Sequence, residues 1–211
     1  MSDELGPGSA GSSVPALTEG QKKYLLHLAR EAIVETIAPA PPEREQREER
    51  TLTEELQGLS EIYTGVFVSL HINESLRGCI GYVDGLRALL HVIPETASAA
   101  ALRDPRFEPV REDELDKIDI EISVLSPLEK ISGPDEITVG THGLLVRCGK
   151  QQGLLLPQVA PRAALDAQAF LEHTCMKAGL RHDAWKEPDT EIFRFSAEVF
   201  GEKSSKDQAI M

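Results

Sequence analysis

Residues 65–83 constrain the fold more than any other stretch. Val66, Val68, Leu70 and Ile72 alternate with Phe67, Ser69 and His71, the period of a half-buried strand. Asn73-Glu74-Ser75 reads as a turn, and residues 76–83 read as the return strand. A return across so short a connection makes an antiparallel hairpin.

The remaining elements extend that start without the regular strand-helix alternation of a doubly wound sheet. Thr18 and Gln21 make a capping box, and Leu25, Leu28, Ala29, Ala32, Ile33 and Ile37 follow helical spacing behind it. Pro39, Pro41 and Pro42 stop that helix. The charged residues 43–50 read as a solvated face or linker, and Leu52, Leu56 and Leu59 as a short helix. A helix is expected over residues 86–102, ending before Asp104-Pro105, with Pro94 kinking or dividing it. Ile118, Ile120, Ile122 and Val124 form a third strand. Residues 144–148 and 154–156 flank a hairpin turn, residues 163–178 form a helix ending at Gly179, and Phe193, Phe195, Ala197 and Val199 make a last strand. The fold class is α+β, with mainly antiparallel pairing. Residues 1–16 read as a disordered tail, 17–202 as the folded domain and 203–211 as a flexible end.

Composition narrows the function. A length of 211 residues suits one domain or two small lobes. The net charge of −13 opposes a nucleic-acid partner. Three cysteines are too few for a disulfide scaffold, and no apolar run approaches the ~20 residues of a membrane helix. The expected setting is cytoplasmic. Gly6, Gly8 and Gly11 spell a dinucleotide pattern, but no strand precedes them. Gly143 to Lys150 imitates a phosphate loop one residue too long, with Gln151 where a hydroxyl should hold magnesium. No motif implies a metal or a cofactor. Cys175 falls in a helical apolar stripe with Phe170, Leu171 and Thr174, the place of a core thiol.

Chemistry concentrates in Leu76-Arg77-Gly78-Cys79-Ile80-Gly81. Two glycines weaken a strand and mark a bulge or the close approach of a backbone or ligand. Gly78 leaves one face of the strand open on this reading. Strand alternation points Arg77 and Cys79 the same way, and a guanidinium beside a thiol favours the thiolate. A three-residue turn would set Ser69 opposite Cys79 and His71 opposite Arg77 on one polar face. A two-residue turn would set Val68 opposite Cys79 and sink the thiol in an apolar layer. The residues alone leave both registers open.

The segment GVFVSLHINESLRGCIGYV resembles the signature of the AMMECR domain family, whose hallmark is LRGCIG. The segments around DPRF, KIDIEISVLSPLEKI, VGTHGLLV, GLLLPQVA, FLEHTCMKAGL and WKEPDTEIFRFSAEVF follow in family order. The resemblance spans residues 17–202. It implies an α+β fold of two lobes with antiparallel sheets, and the LRGCIG strand in the larger lobe facing a cleft. It also implies an association with a Memo-like protein and a radical-SAM enzyme, with no established activity. Asn-Glu-Ser stands in the hairpin turn where a glycine is common.

Two functions follow as expectations. In one, the chain is a ligand- or partner-binding component, with Gly78, Gly81, Ser69, His71 and Gln158 lining the site. In the other, Cys79 is a nucleophile, redox thiol or metal ligand, Arg77 steadies the thiolate or holds a substrate anion, and Glu121 or His142 moves protons. Asp104 is expected to cap a turn, and Trp185 to pack against the last strand.

Overall fold

A computed structural model describes residues 14–38, 56 and 58–203. The expected N-terminal tail, the charged stretch 43–50, most of the short helix near Leu56 and most of the C-terminal end lie outside the described residues. The chain divides into two compact units, Pro15–Leu125 with the residues from Glu198 onward, and Ser126–Ala197.

The first unit opens with α1 (Glu19–Ile37), whose capping box of Thr18 and Gln21 is formed as read. A single 3-10 turn follows at Gly58–Glu61. Strands β1 (Val66–Ile72), β2 (Ser75–Tyr82) and β3 (Asp119–Leu125) join β8 (Ala197–Gly201) in a four-stranded sheet of order β2-β1-β3-β8. Strand β1 runs antiparallel to both neighbours. Val66, Val68 and Leu70 of β1 and Ile120, Ile122 and Val124 of β3 are buried, one side of a period-two pattern. Leu25, Ala29 and Ile33 of α1 and Leu89, Ile93 and Ala97 of α2 (Leu89–Leu102) bury their stripes in the same core.

Pro94 does not divide α2, which is continuous from Leu89 to Leu102. The proline removes one amide donor from the ladder. Ile93, Ala97 and Ala100 are all buried around it, and that packing holds the two halves in one helix. The acidic stretch after Asp104 forms a 3-10 turn at Glu112–Lys117 and then enters β3.

The second unit holds β4 (Glu129–Ile131), β5 (Gly143–Cys148), β6 (Gln151–Leu155) and β7 (Thr190–Phe195), ordered β4-β7-β5-β6, with antiparallel pairing throughout. The expected β5–β6 hairpin is present, with a tighter turn at Gly149-Lys150 in which Gly149 has φ +57°. The expected helix over residues 163–178 is present with a later start, as α4 (Ala167–Lys177), and a single helical turn, α3 (Val159–Arg162), precedes it. Ala164 takes φ +52° between them, and Asp166 caps α4 by accepting the Ala169 amide at 2.8 Å. Phe170, Leu171, Thr174 and Cys175 are buried as the stripe required, and Trp185 packs on the cluster that contains Ile192.

The expected last strand also proves to be two. Residues 190–195 belong to the sheet of the second unit and residues 197–201 to that of the first. Ser196 separates them: its carbonyl accepts the Ser126 amide at 2.9 Å, and its amide donates to the Ser126 hydroxyl at 2.9 Å. The alternation runs through unbroken because both halves are strands. Periodicity carries no mark of a change of sheet.

Candidate functional site

The site begins with the β1–β2 hairpin. Its loop has two residues, Asn73 at φ +49° and Glu74 at φ +65°, the positive pair that a type I′ turn needs. By itself that loop would place Val68 opposite Cys79. A bulge between Leu70 and His71 corrects the register: His71 pairs with Leu76, Leu70 pairs with Gly78, and Arg77 is the extra residue. Ser69 therefore faces Cys79 after all, by a two-residue turn plus a bulge and not by a three-residue turn. His71 does not face Arg77.

Cys79 lies on β2, an edge strand. Its main-chain groups point off the sheet and are taken by side chains. The Cys79 amide donates to Asp104 Oδ2 at 2.8 Å, and its carbonyl accepts from Arg106 Nη2 at 3.1 Å. Asp104 and Arg106 also bind each other through Nε to Oδ1 at 2.9 Å and Nη2 to Oδ2 at 2.6 Å. The pair thus fills, at one residue, the place of a neighbouring strand. Asp104 caps its own turn as expected, accepting the Arg106 amide at 3.1 Å. Its carboxylate is only 2% exposed, and the Arg106 guanidinium holds its pKa down to about 2.

In an antiparallel ladder, residues whose main-chain groups point away from each other form the closer kind of pair. The Ser69 hydroxyl accordingly reaches the Cys79 Sγ at 3.3 Å. Burial pushes the Cys79 thiol above its ordinary range, opposed by the Ser69 hydrogen bond and by Arg106. The resting group is a thiol, not a thiolate.

Across β1, Ser69 lies opposite Glu121 of β3, so Cys79, Ser69 and Glu121 form one row over three strands. The row beside it is Gly81, Phe67 and Ser123. Ser123 is 1% exposed, and its hydroxyl has no hydrogen-bond partner among the described residues. Glu121 is half-buried, and its carboxylate has no hydrogen bond or ion pair among the described residues. His71 shares this face opposite Asp119, whose carboxylate pairs with Lys203 at 2.8 Å.

The two glycines have separate duties. A Cβ on Gly78 would lie 2.2 Å from the Ala100 carbonyl oxygen. The face that Gly78 was expected to leave open is therefore filled by the backbone of α2, which packs directly on β2. A Cβ on Gly81 would lie 2.2 Å from the Phe67 ring, which leans across the strand.

Arg77 corrects another expectation. Its guanidinium donates to Glu114 from Nε and Nη2, both at 2.9 Å, and to the carbonyls of Glu108 at 2.8 Å and Pro109 at 3.2 Å. It holds residues 108–114 in place and is committed away from the thiol. In return it lowers the Glu114 pKa to about 2. The arginine beside Cys79 is Arg106. Sequence reasoning missed that role. Its signal is an acid and a base two residues apart in Asp104-Pro105-Arg106, within reach of a strand edge that needs partners.

His142 and Gln158 belong to the second unit. His142 Nδ1 accepts the Thr138 amide at 3.0 Å, and burial with the nearby Arg194 charge lowers its pKa, so it is a neutral local acceptor. Gln158 precedes α3 as its N-cap residue, and its buried Oε1 has no hydrogen-bond partner among the described residues. The structure thus groups Cys79, Ser69, Gly81, His71 and Glu121 on one face within one unit, while Arg77 and Gly78 serve packing. Among the described residues, no group of three or more histidine, cysteine or acidic side chains could hold a metal ion, and no helix is long and apolar enough to cross a membrane.

Comparison with known proteins places this arrangement in a family. The AMMECR1 family model matches residues 26–200, so the chain belongs to the AMMECR1 family. A protein of Methanothermobacter thermautotrophicus is 41% identical over 192 residues, covering 88% of this chain and 96% of its own length. Protein Mbar_A1807 of Methanosarcina barkeri is 44% identical over 192 residues, covering 89% of this chain and 93% of its own. The crystal structure of uncharacterized protein PH0010 from Pyrococcus horikoshii is similar with a TM-score of 0.77 at 36% identity, covering 89% of this chain and 94% of that one. The α+β class with two antiparallel four-stranded sheets stands with it.

Proposed function

We propose that the sheet face around Cys79 is a binding surface, and that the chain is a non-catalytic component working beside a Memo-like protein and a radical-SAM enzyme. One observation carries binding over catalysis. Burial raises the Cys79 thiol above its ordinary value while Arg77, the cation expected to activate it, is engaged by Glu114 and two carbonyls. A nucleophilic cysteine needs the reverse, a depressed value in a cationic setting. The partner assignment rests on family resemblance.

Cysteine chemistry is the second reading, and Arg106 favours it: its charge beside the thiol acts to lower the Cys79 pKa. Alkylation of Cys79 in the folded protein, followed against pH by mass spectrometry, separates the two. The binding reading expects a rate that stays low until pH passes the ordinary thiol value of 9.0. A rate plateau reached near pH 7 would overturn it in favour of catalysis. Co-purification with the Memo-like and radical-SAM proteins tests the partnership. Complex formation by wild type, weakened by Ser69→Asp on the same face, is the expected result; no association with either protein refutes it.

A further inference from the structure

We infer that the free edge of β6 is a docking site for an extended acidic segment of a partner protein, which adds a strand to the second sheet. The inference goes beyond the binding reading above, because this edge belongs to the other unit and does not involve Cys79.

Strand β6 ends the order β4-β7-β5-β6, so one of its sides has no neighbouring strand. Register shows which groups that side presents. The β5–β6 turn has two residues, and Cys148 pairs with Gln151 across it. The pair flanking such a turn exchanges both of its hydrogen bonds, and the two kinds of pair alternate from there. Gln151, Gly153 and Leu155 therefore bond inward to β5, while Gln152 and Leu154 turn their amides and carbonyls outward. Those outward groups have no hydrogen-bond partner among the described residues. Gln152 is exposed and Leu154 half-buried, so neither is closed to solvent. Each offers an added strand one donor and one acceptor.

Sheet edges are ordinarily guarded by a charge, a proline or a bulge. Gln151-Gln152-Gly153-Leu154-Leu155 contains no charged residue and no proline, and its register with β5 runs without a shift. An edge in that condition suits strand addition, in which main-chain hydrogen bonds supply the affinity.

Charge selects the partner. Lys150 stands in the turn at one end of β6. Lys177 lies over the middle of the strand, where a Cβ on Gly153 would sit 2.7 Å from the Lys177 carbonyl carbon. Both lysines are exposed and have no ion pair among the described residues. Residues 126–197 hold eight Lys and Arg against nine Asp and Glu, a net charge of −1, whereas the whole chain carries −13. An acidic segment therefore meets two free cations here and little of the repulsion that the rest of the chain offers. A second copy fits less well. Pairing two β6 strands about a two-fold axis at Gly153 brings two Lys177 residues and two Ala178 main chains together above it.

Amide hydrogen exchange and NMR titration of the full chain, at pH 7 and low salt, test the inference. The probes are the blocked peptide Ac-Val-Glu-Val-Glu-Val-NH2 and its counterpart with lysine in place of glutamate. Without peptide, Gln152 and Leu154 are expected to exchange fast, and Gly153 and Leu155 slowly. The acidic peptide should slow exchange at Gln152 and Leu154 and bind roughly tenfold more tightly than the basic one. Gln152→Pro, which removes an outward amide on an edge strand, should weaken that binding. Lys150→Glu combined with Lys177→Glu changes only exposed side chains and should reverse the preference to the basic peptide. Equal binding of the two peptides, or an acidic preference that survives the double reversal, overturns the inference. So does the absence of protection with the acidic peptide, or slow exchange at Gln152 in the dilute free protein. Protection that appears without peptide and grows with protein concentration assigns the edge to a second copy and overturns it as well. None of these outcomes bears on the Cys79 reading, which stands or falls on the alkylation profile.

Discussion

Two arginines divide the work that one appeared to offer. Arg77 precedes the glycine before Cys79 and sits in the hallmark motif, yet its donors are spent on Glu114 and two carbonyls. Arg106 is 27 residues from Cys79 and reaches its carbonyl. The assignment of Arg77 from sequence rested on strand alternation, which a single extra residue disrupts. Cys79, Ser69 and Glu121 were legible because they lie where β1, β2 and β3 keep their period. Asp104 and Arg106 were not, because their partner is a strand edge whose exposure no local pattern records. Asp104 has a pH consequence. Its folded pKa of about 2 lies below the ordinary 3.8, so its contribution is fully present above about pH 4 and is lost as pH falls toward 2. The shift corresponds to about 2 kcal/mol. Urea unfolding of wild type and Asp104→Asn should therefore differ by about that much at pH 6 and converge near pH 2. A gap as wide at pH 2.5 as at pH 6 would show that the charge is not the stabilising feature.

At the scale of elements, the β1–β2 hairpin and the packing of α2 on it govern the site. The hairpin itself was plain in the sequence, because alternation is a local property. Its register was not, since turn length and bulge have opposite effects on pairing and neither is written in the apolar pattern. Glu74 carries the strain of the arrangement, holding φ +65° where glycine is at ease. Glu74→Gly should raise stability by about 1 kcal/mol without altering the register, read as a higher denaturation midpoint with unchanged hairpin amide shifts. Gly78 behaves in the opposite sense. A methyl group there meets the Ala100 main chain, which cannot swing aside. Gly78→Ala is expected to cost roughly 3 kcal/mol and lower the melting temperature by about 10 °C, whereas a drop of only a degree or two would mean that α2 tolerates displacement from β2.

For the molecule as a whole, the α+β class was legible because runs of strand and helix follow one another without regular alternation. The path of the chain was less so. It leaves the first unit after Leu125 and returns at Glu198, and the return passes through a stretch whose alternation reads as one strand. The helix expected over residues 163–178 begins at Ala167 instead, because Asp166 acts as its cap inside a run whose apolar spacing continues on both sides. The Asp104–Arg106 pair also bears on how this molecule meets its neighbours. A bare amide and carbonyl on an edge strand are a template on which a foreign chain can lay a further strand. At Cys79 both groups are already taken by an ion pair whose carboxylate is buried. The side chains that shape the candidate site thus also act as a stopper, keeping β2 the last strand of its sheet and guarding the motif against self-association in the crowded cell.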